Sequence, residues 1–130
     1  MLDESGSIGL VNFEMMRLFV SQLVSRMDID NGNTRVALVT FSSGTETSFD
    51  FNDYTTVASV QSAIAALNYS GGSTNTGGAL AFVRTSILTS AAGDRDNVPN
   101  VVVVLTDGRS ADATLTTVNI EINNNQIMNK

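Results

Sequence analysis

Apolar side chains recur three and four positions apart at Phe13, Met16, Phe19, Val20, Leu23 and Met27, which predicts an amphipathic helix over residues 11–28. Val11, Met15, Leu18 and Val24 widen the stripe. The helix is therefore expected to be buried on more than one side, with its Phe and Met residues in the core. The stretch from Asp28 to Asn33 is turn chemistry and ends it. From Arg35 to Ser43 runs a β-rich segment with apolar residues on both faces, as in a strand sandwiched between helix layers. Ser43-Gly44 turns the chain, and Glu46 to Phe51 predicts a short strand with Phe49 and Phe51 on one face.

A second helix opens at Asn52 and runs through Val57, Val60, Ile64 and Leu67. Residues 68–78 form a loop dense in Gly and hydroxyls, and a third helix is predicted from Ala79 to Leu88. The connection over residues 91–100 holds the only proline, Pro99. Val101 to Leu105 is a continuous apolar run, the mark of a fully buried parallel strand. The order helix, strand, strand, helix, helix, strand predicts an α/β fold with a doubly wound, mostly parallel sheet flanked by helices. Met1-Leu2 reads as the end of a strand leading into Asp3, and residues 119–130 include five Asn and keep no period.

Composition narrows the chemistry. The chain has 130 residues and a net charge of −6, with six Arg and one Lys, so it lacks the basic face that nucleic-acid binding needs. It has no Cys and no His, which removes disulfides, thiolate and imidazole metal sites, and a Ser-His-Asp triad. No run reaches the roughly 18 apolar residues of a membrane span, and the start has neither the basic nor the apolar region of a signal peptide. Whatever the chain does must use carboxylates, hydroxyls, amides and arginines.

In open α/β sheets, ligands bind beyond the carboxyl ends of parallel strands. Three oxygen-rich segments fall at such ends or in the loop between them: Asp3-Glu4-Ser5-Gly6-Ser7, Ser73-Thr74-Asn75-Thr76-Gly77 and Thr106-Asp107-Gly108. Their carboxylates and hydroxyls are hard ligands suited to Mg²⁺ or Mn²⁺. Alternation at Asp3, Ser5 and Ser7 lets a tight turn point three oxygens inward, with Gly6 supplying backbone freedom. Each segment also has a plainer reading. Asp3 to Ser7 could cap the first helix, Thr76 could cap the third, and Asp107-Gly108 is a common turn dipeptide.

Taken together and in order, Asp-x-Ser-x-Ser at residues 3–7, Gly-Gly-Ser-Thr-Asn-Thr-Gly at residues 71–77 and Leu-Thr-Asp-Gly at residues 105–108 resemble the von Willebrand factor type A domain, the fold shared with integrin I domains. The resemblance runs over about residues 1–118 and includes the segment from Arg35. It implies a metal-ion-dependent adhesion site at Asp3, Ser5, Ser7, Thr74 and Asp107. It further implies a bound Mg²⁺ (or Mn²⁺) whose coordination is completed by an Asp or Glu carboxylate of a protein partner. Glu4 and Arg109 flank the site as candidate partner contacts, with solvated surface as the alternative.

The style of the motifs looks like extracellular members such as those of collagens and matrilins. Asn68-Tyr69-Ser70 is an N-glycosylation sequon, which fits a secreted protein. The expected function is a metal-dependent adhesion or matrix-binding module, not an enzyme. The competing readings are an intracellular scaffold of the same fold and, remotely, a Mg²⁺-dependent hydrolase, for which no general base or nucleophile elbow is present. Against the family pattern, the domain is expected to be incomplete at both ends. Residues 1–118 would form a partial domain lacking most of its first strand, and residues 119–130 a disordered or foreign tail.

Overall fold

The computed structural model describes residues 1–108, 110 and 111. Its elements run β1 (Leu2–Asp3), α1 (Gly9–Val24), β2 (Leu38–Phe41), β3 (Thr45–Phe49), α2 (Val57–Ala65) and α3 (Thr76–Phe82). Helix α3 continues into one wide turn over Val83–Ile87, and a short 3₁₀ turn follows at Ser90–Ala92. The sheet order is β1-β2-β3, with β1 parallel and β3 antiparallel to β2. Leu2 also bridges to Leu105 in the parallel sense. The two-residue β1 thus lies between β2 and the end of the Val101–Leu105 run, in an α/β arrangement where β1 is parallel to both neighbours and β3 joins antiparallel.

Apolar side chains on the two sheet faces make two cores. One gathers Leu2, Phe13, Val24, Leu38, Phe49 and Ile64 beneath α1 and α2; the other gathers Val39, Val83 and Ile87, with Met1, Ala37 and Val102 packed against them. Arg17 clamps the first layer: its Nη1 donates to the carbonyls of Ala65 and Leu67, both at 2.8 Å, and so satisfies acceptors at the C-terminal end of α2. Thr56 and Ser59 form a capping box at the start of α2. The Asp30 carboxylate accepts from the Val57 amide beside it.

Several expectations need correction. Helix α1 ends at Val24, four residues before the turn chemistry that was expected to stop it. Only one stripe of it packs inward. Leu10, Val11, Met15, Leu18 and Phe19 face outward, Phe19 at 51% exposure. The Phe and Met residues of α1 are therefore not all core: among the described residues, one sheet face and α2 cover a single side of the helix. Phe49 and Phe51 do not share a face either, because β3 stops at Phe49 and an Asp50 turn follows, in which the Asn52 amide donates to Asp50 Oδ1. Phe51 then joins the second core.

The Val101–Leu105 run is not the buried strand its composition suggests. Among the described residues it bridges only at Leu105, and Val101 is 83% exposed. A parallel strand is held by the ladder on its neighbour, and β1, its neighbour, is two residues long. The Asn-rich residues 119–130, and the proposed domain end near residue 118, lie outside the described residues.

Candidate metal centre

The three oxygen-rich segments meet at one end of the sheet. Backbone bonds on both sides of β1 fix the first: the Asp3 amide donates to the Leu105 carbonyl and the Glu4 amide to the Phe41 carbonyl, both at 2.9 Å. Asp3 is fully buried. Its Oδ1 accepts from the Ser5 amide at 2.8 Å and its Oδ2 from the Thr106 hydroxyl at 2.6 Å. A carboxylate taken out of water needs such donors, and here they also fix its orientation.

The turn after Asp3 is held from the opposite loop. The Tyr69 hydroxyl donates to the Ser5 carbonyl at 3.1 Å, and the Gly6 amide to the Gly72 carbonyl at 2.8 Å. A Cβ on Gly6 would stand 3.3 Å from that carbonyl oxygen. Gly6 does not have positive φ, whereas Gly72 does, at 107°. The reason for glycine at position 6 is close approach of two backbones rather than the unusual conformation expected of it.

The hydroxyls then converge. Ser5 Oγ lies 3.3 Å from Ser7 Oγ, and Ser7 Oγ donates to Asp107 Oδ1 at 3.1 Å. A Cβ built on Gly108 would be 3.8 Å from Ser7 Oγ and 3.9 Å from Thr74 Oγ1, so both hydroxyls border the Gly108 backbone. Adjacent ligand oxygens of an octahedron with bonds near 2.1 Å stand about 3.0 Å apart. The Ser5, Ser7 and Asp107 spacings are close to that value, so the donor set fits a small hard cation. No group of three or more His, Cys, Asp or Glu gathers among the described residues. The candidate donors are two carboxylates and three hydroxyls.

The plainer readings of these segments fare differently. Among the described residues no side chain caps α1, whose start is met by the Ser5 carbonyl accepting from Ile8; the Asp3, Ser5 and Ser7 side-chain oxygens are not used there. Thr76 is not the cap of α3. Asn75 is, its Oδ1 accepting from the Gly78 amide at 3.0 Å, while the Thr76 amide donates to Ser110 Oγ. Asn75 is also anchored by its amide to the Ser42 carbonyl at 2.9 Å.

Glu4 is not the solvated surface of the plainer reading: it is 7% exposed. Burial pushes its carboxyl above the usual range, partly offset by hydrogen bonding from Ser70, with the Glu46 and Asp3 charges adding to the rise. Asn68 of the sequon is exposed, and Arg109 lies outside the described residues. Sequence reasoning overlooked Thr106 and Tyr69 as supports of the site. The adjacency of Thr106 to Asp107 was a usable signal; nothing in sequence spacing ties Tyr69 to Ser5.

Comparison with known proteins bears on this arrangement. The family model for the von Willebrand factor type A domain matches residues 1–128. The chain belongs to this family. Relatives of the type A domain chain include the collagen alpha-4(VI) chain of Mus musculus, 39% identical over 114 residues, covering 86% of this chain and 5% of that protein. Matrilin-4 of Homo sapiens is 41% identical over 115 residues, covering 86% of this chain and 18% of that protein. Among solved structures, proximal thread matrix protein 1 from the mussel byssus superposes with a TM-score of 0.87 at 27% identity, over 96% of this chain and 34% of that one. That structure has zinc in its MIDAS motif. The chain thus spans a small part of the length of these relatives.

Proposed function

We propose that this type A domain is a metal-ion-dependent protein-binding module of the extracellular matrix, with Asp3, Ser5, Ser7, Thr74 and Asp107 holding a Mg²⁺ or Mn²⁺ ion. The observation that carries the reading is the convergence of Ser5, Ser7 and Asp107 oxygens at 3.1–3.3 Å, with the Thr74 hydroxyl bordering the Gly108 backbone next to Asp107. When bound, the ion supplies a Lewis-acidic centre for an acidic partner group.

The chain's own residues set how that centre behaves. Three of the five donors are neutral hydroxyls, and both Asp3 oxygens already accept hydrogen bonds from Ser5 and Thr106. The set therefore neutralises little of the cation's charge, which favours recruitment of a further anion. Ser7 and Asp107 are exposed while Asp3 and Ser5 are buried, so the approach is from the Ser7–Asp107 side. A partner Asp or Glu carboxylate is the ligand that fits. The matrix relatives and the exposed sequon at Asn68 support an extracellular setting.

The test is calorimetric titration of Mg²⁺ and Mn²⁺ into the chain and into Ser7→Ala and Asp3→Ala, paired with capture of matrix proteins with and without chelator. Ser7 is exposed, so its variant keeps the fold, as circular dichroism will verify. Loss of binding in both variants, and capture abolished by chelator, are expected. Unchanged metal binding by both variants refutes the site; capture that survives chelator refutes the carboxylate bridge.

A further inference from the structure

Asn68 opens the only Asn-x-Ser/Thr triplet in the sequence, Asn68-Tyr69-Ser70, and takes part in neither core nor the metal centre. The triplet falls in the connection between α2, which ends at Ala65, and α3, which starts at Thr76. Arg17 holds the carbonyls of Ala65 and Leu67, so the backbone is fixed immediately ahead of Asn68.

The three residues have different surroundings. Asn68 is exposed, and among the described residues its side chain has no hydrogen-bond partner. Tyr69 is turned inward: its ring packs on Phe13 and its hydroxyl reaches the Ser5 carbonyl. Ser70 hydrogen-bonds the buried Glu4 carboxyl, one residue from Asp3. Two residues thus pin the triplet against the Asp3–Ser7 turn, while the first offers an uncommitted amide to solvent. An asparagine that carries a bulky, solvated sugar chain needs that exposure.

The pinning also sets where such a chain stands. One Cα–Cα step, the length of a tyrosine side chain and the 3.1 Å hydrogen bond together place the Asn68 Cα within about 14 Å of the Ser5 carbonyl. The Ser5 and Ser7 hydroxyls are 3.3 Å from each other. A branched oligosaccharide is bulky on that scale. The loop is tied to the turn a second time, by the Gly6 amide donating to the Gly72 carbonyl at 2.8 Å.

We propose that Asn68 carries an N-linked glycan that overhangs the Ser5–Ser7 turn from the α2 side. It limits the bulk of what reaches the metal centre and leaves small groups free to enter. The proposal rests on the extracellular setting read above, which the similarity to a collagen and a matrilin supports independently of the triplet.

For the test, the full chain is secreted from cultured animal cells behind a cleavable leader, beside Asn68→Gln and Ser70→Thr. Each receives one thiol, by Ser7→Cys at the centre or by Gln22→Cys at the far, exposed end of α1; the chain has no cysteine of its own. Mass spectrometry is expected to find one glycan, on Asn68, in the parent and in Ser70→Thr, and none in Asn68→Gln. A small maleimide is expected to label Ser7→Cys at one rate in all three backgrounds. A maleimide carrying a polyethylene glycol chain is expected to react several-fold more slowly at Ser7→Cys in the two glycosylated backgrounds, and equally in all three at Gln22→Cys. An unmodified Asn68 in the secreted chain overturns the proposal. So does polymer labelling of Ser7→Cys that ignores the glycan, or slowing that is the same at Gln22→Cys or for the small reagent. All labelling is done in chelator, so these outcomes do not depend on the ion, and failure of the metal reading shows separately in the calorimetry.

Discussion

The contact that most directly ties fold to site is the Thr106 hydroxyl donating to Asp3 Oδ2 at 2.6 Å. Thr106→Val keeps the shape and removes the donor. A hydrogen bond to a charged group contributes about 1.5–3 kcal/mol. Asp3 is fully buried, which pushes the figure up, whereas Thr106 is exposed, so water can replace part of what is lost. The lower end, about 1.5 kcal/mol, is therefore expected, a fall of about 3–6 °C in the midpoint for a domain of this size. Metal affinity is expected to drop by about tenfold, as for other groups that orient a ligand rather than bind the ion. Thr106→Ser restores both. Thermal melts in chelator and Mn²⁺ calorimetry measure the two effects. If Thr106→Val melts and binds Mn²⁺ like the parent, Thr106 does not position Asp3 and the reasoning fails.

Other consequences are open to simpler measurements. Gly72→Ala places a Cβ 2.8 Å from Ser43 Oγ at a φ of 107°, so a denaturant titration is expected to show a loss of about 1–3 kcal/mol. Desolvation lowers the Met1 amine from 8.0 to about 6, so between those values the unfolded chain binds more protons and stability rises with pH. The gain is complete above pH 8 and absent below pH 6. It is bounded near 2.7 kcal/mol by the two-unit shift and reduced by the partial exposure of Met1. N-terminal acetylation is expected to abolish the slope, and a slope that persists assigns it elsewhere. Leu18→Gln, on the outward face of α1, is expected to change stability by no more than about 0.5 kcal/mol; a larger loss would mean that something covers that face in solution.

Helix α1 was legible because its spacing of three and four survives any tertiary context. Which of its apolar residues are core was not. Phe13 and Phe19 look alike in the pattern, yet Phe13 packs against Tyr69 with ring centroids 5.7 Å apart while Phe19 faces outward. The oxygen-rich segments were legible as types and order, but Thr76 and Asn75 are both good caps by composition. The choice between them rests on the Ser42 carbonyl holding the Asn75 amide.

Residue type and spacing were enough to announce an α/β chain with hard oxygen donors at strand ends, because periodicity and donor chemistry are local properties. Whether Val101 to Leu105 becomes a strand is not local. Its apolar run has the composition of one, but a parallel strand exists only with a neighbour to bond, and β1 offers two residues. The site has the same dependence. Asp3 and Asp107 are 104 positions apart in the chain, and they share a cluster because Leu2 bridges Leu105 and Thr106 reaches Asp3. Backbone pairing across that distance, which no spacing rule encodes, turns three polar loops into one candidate centre.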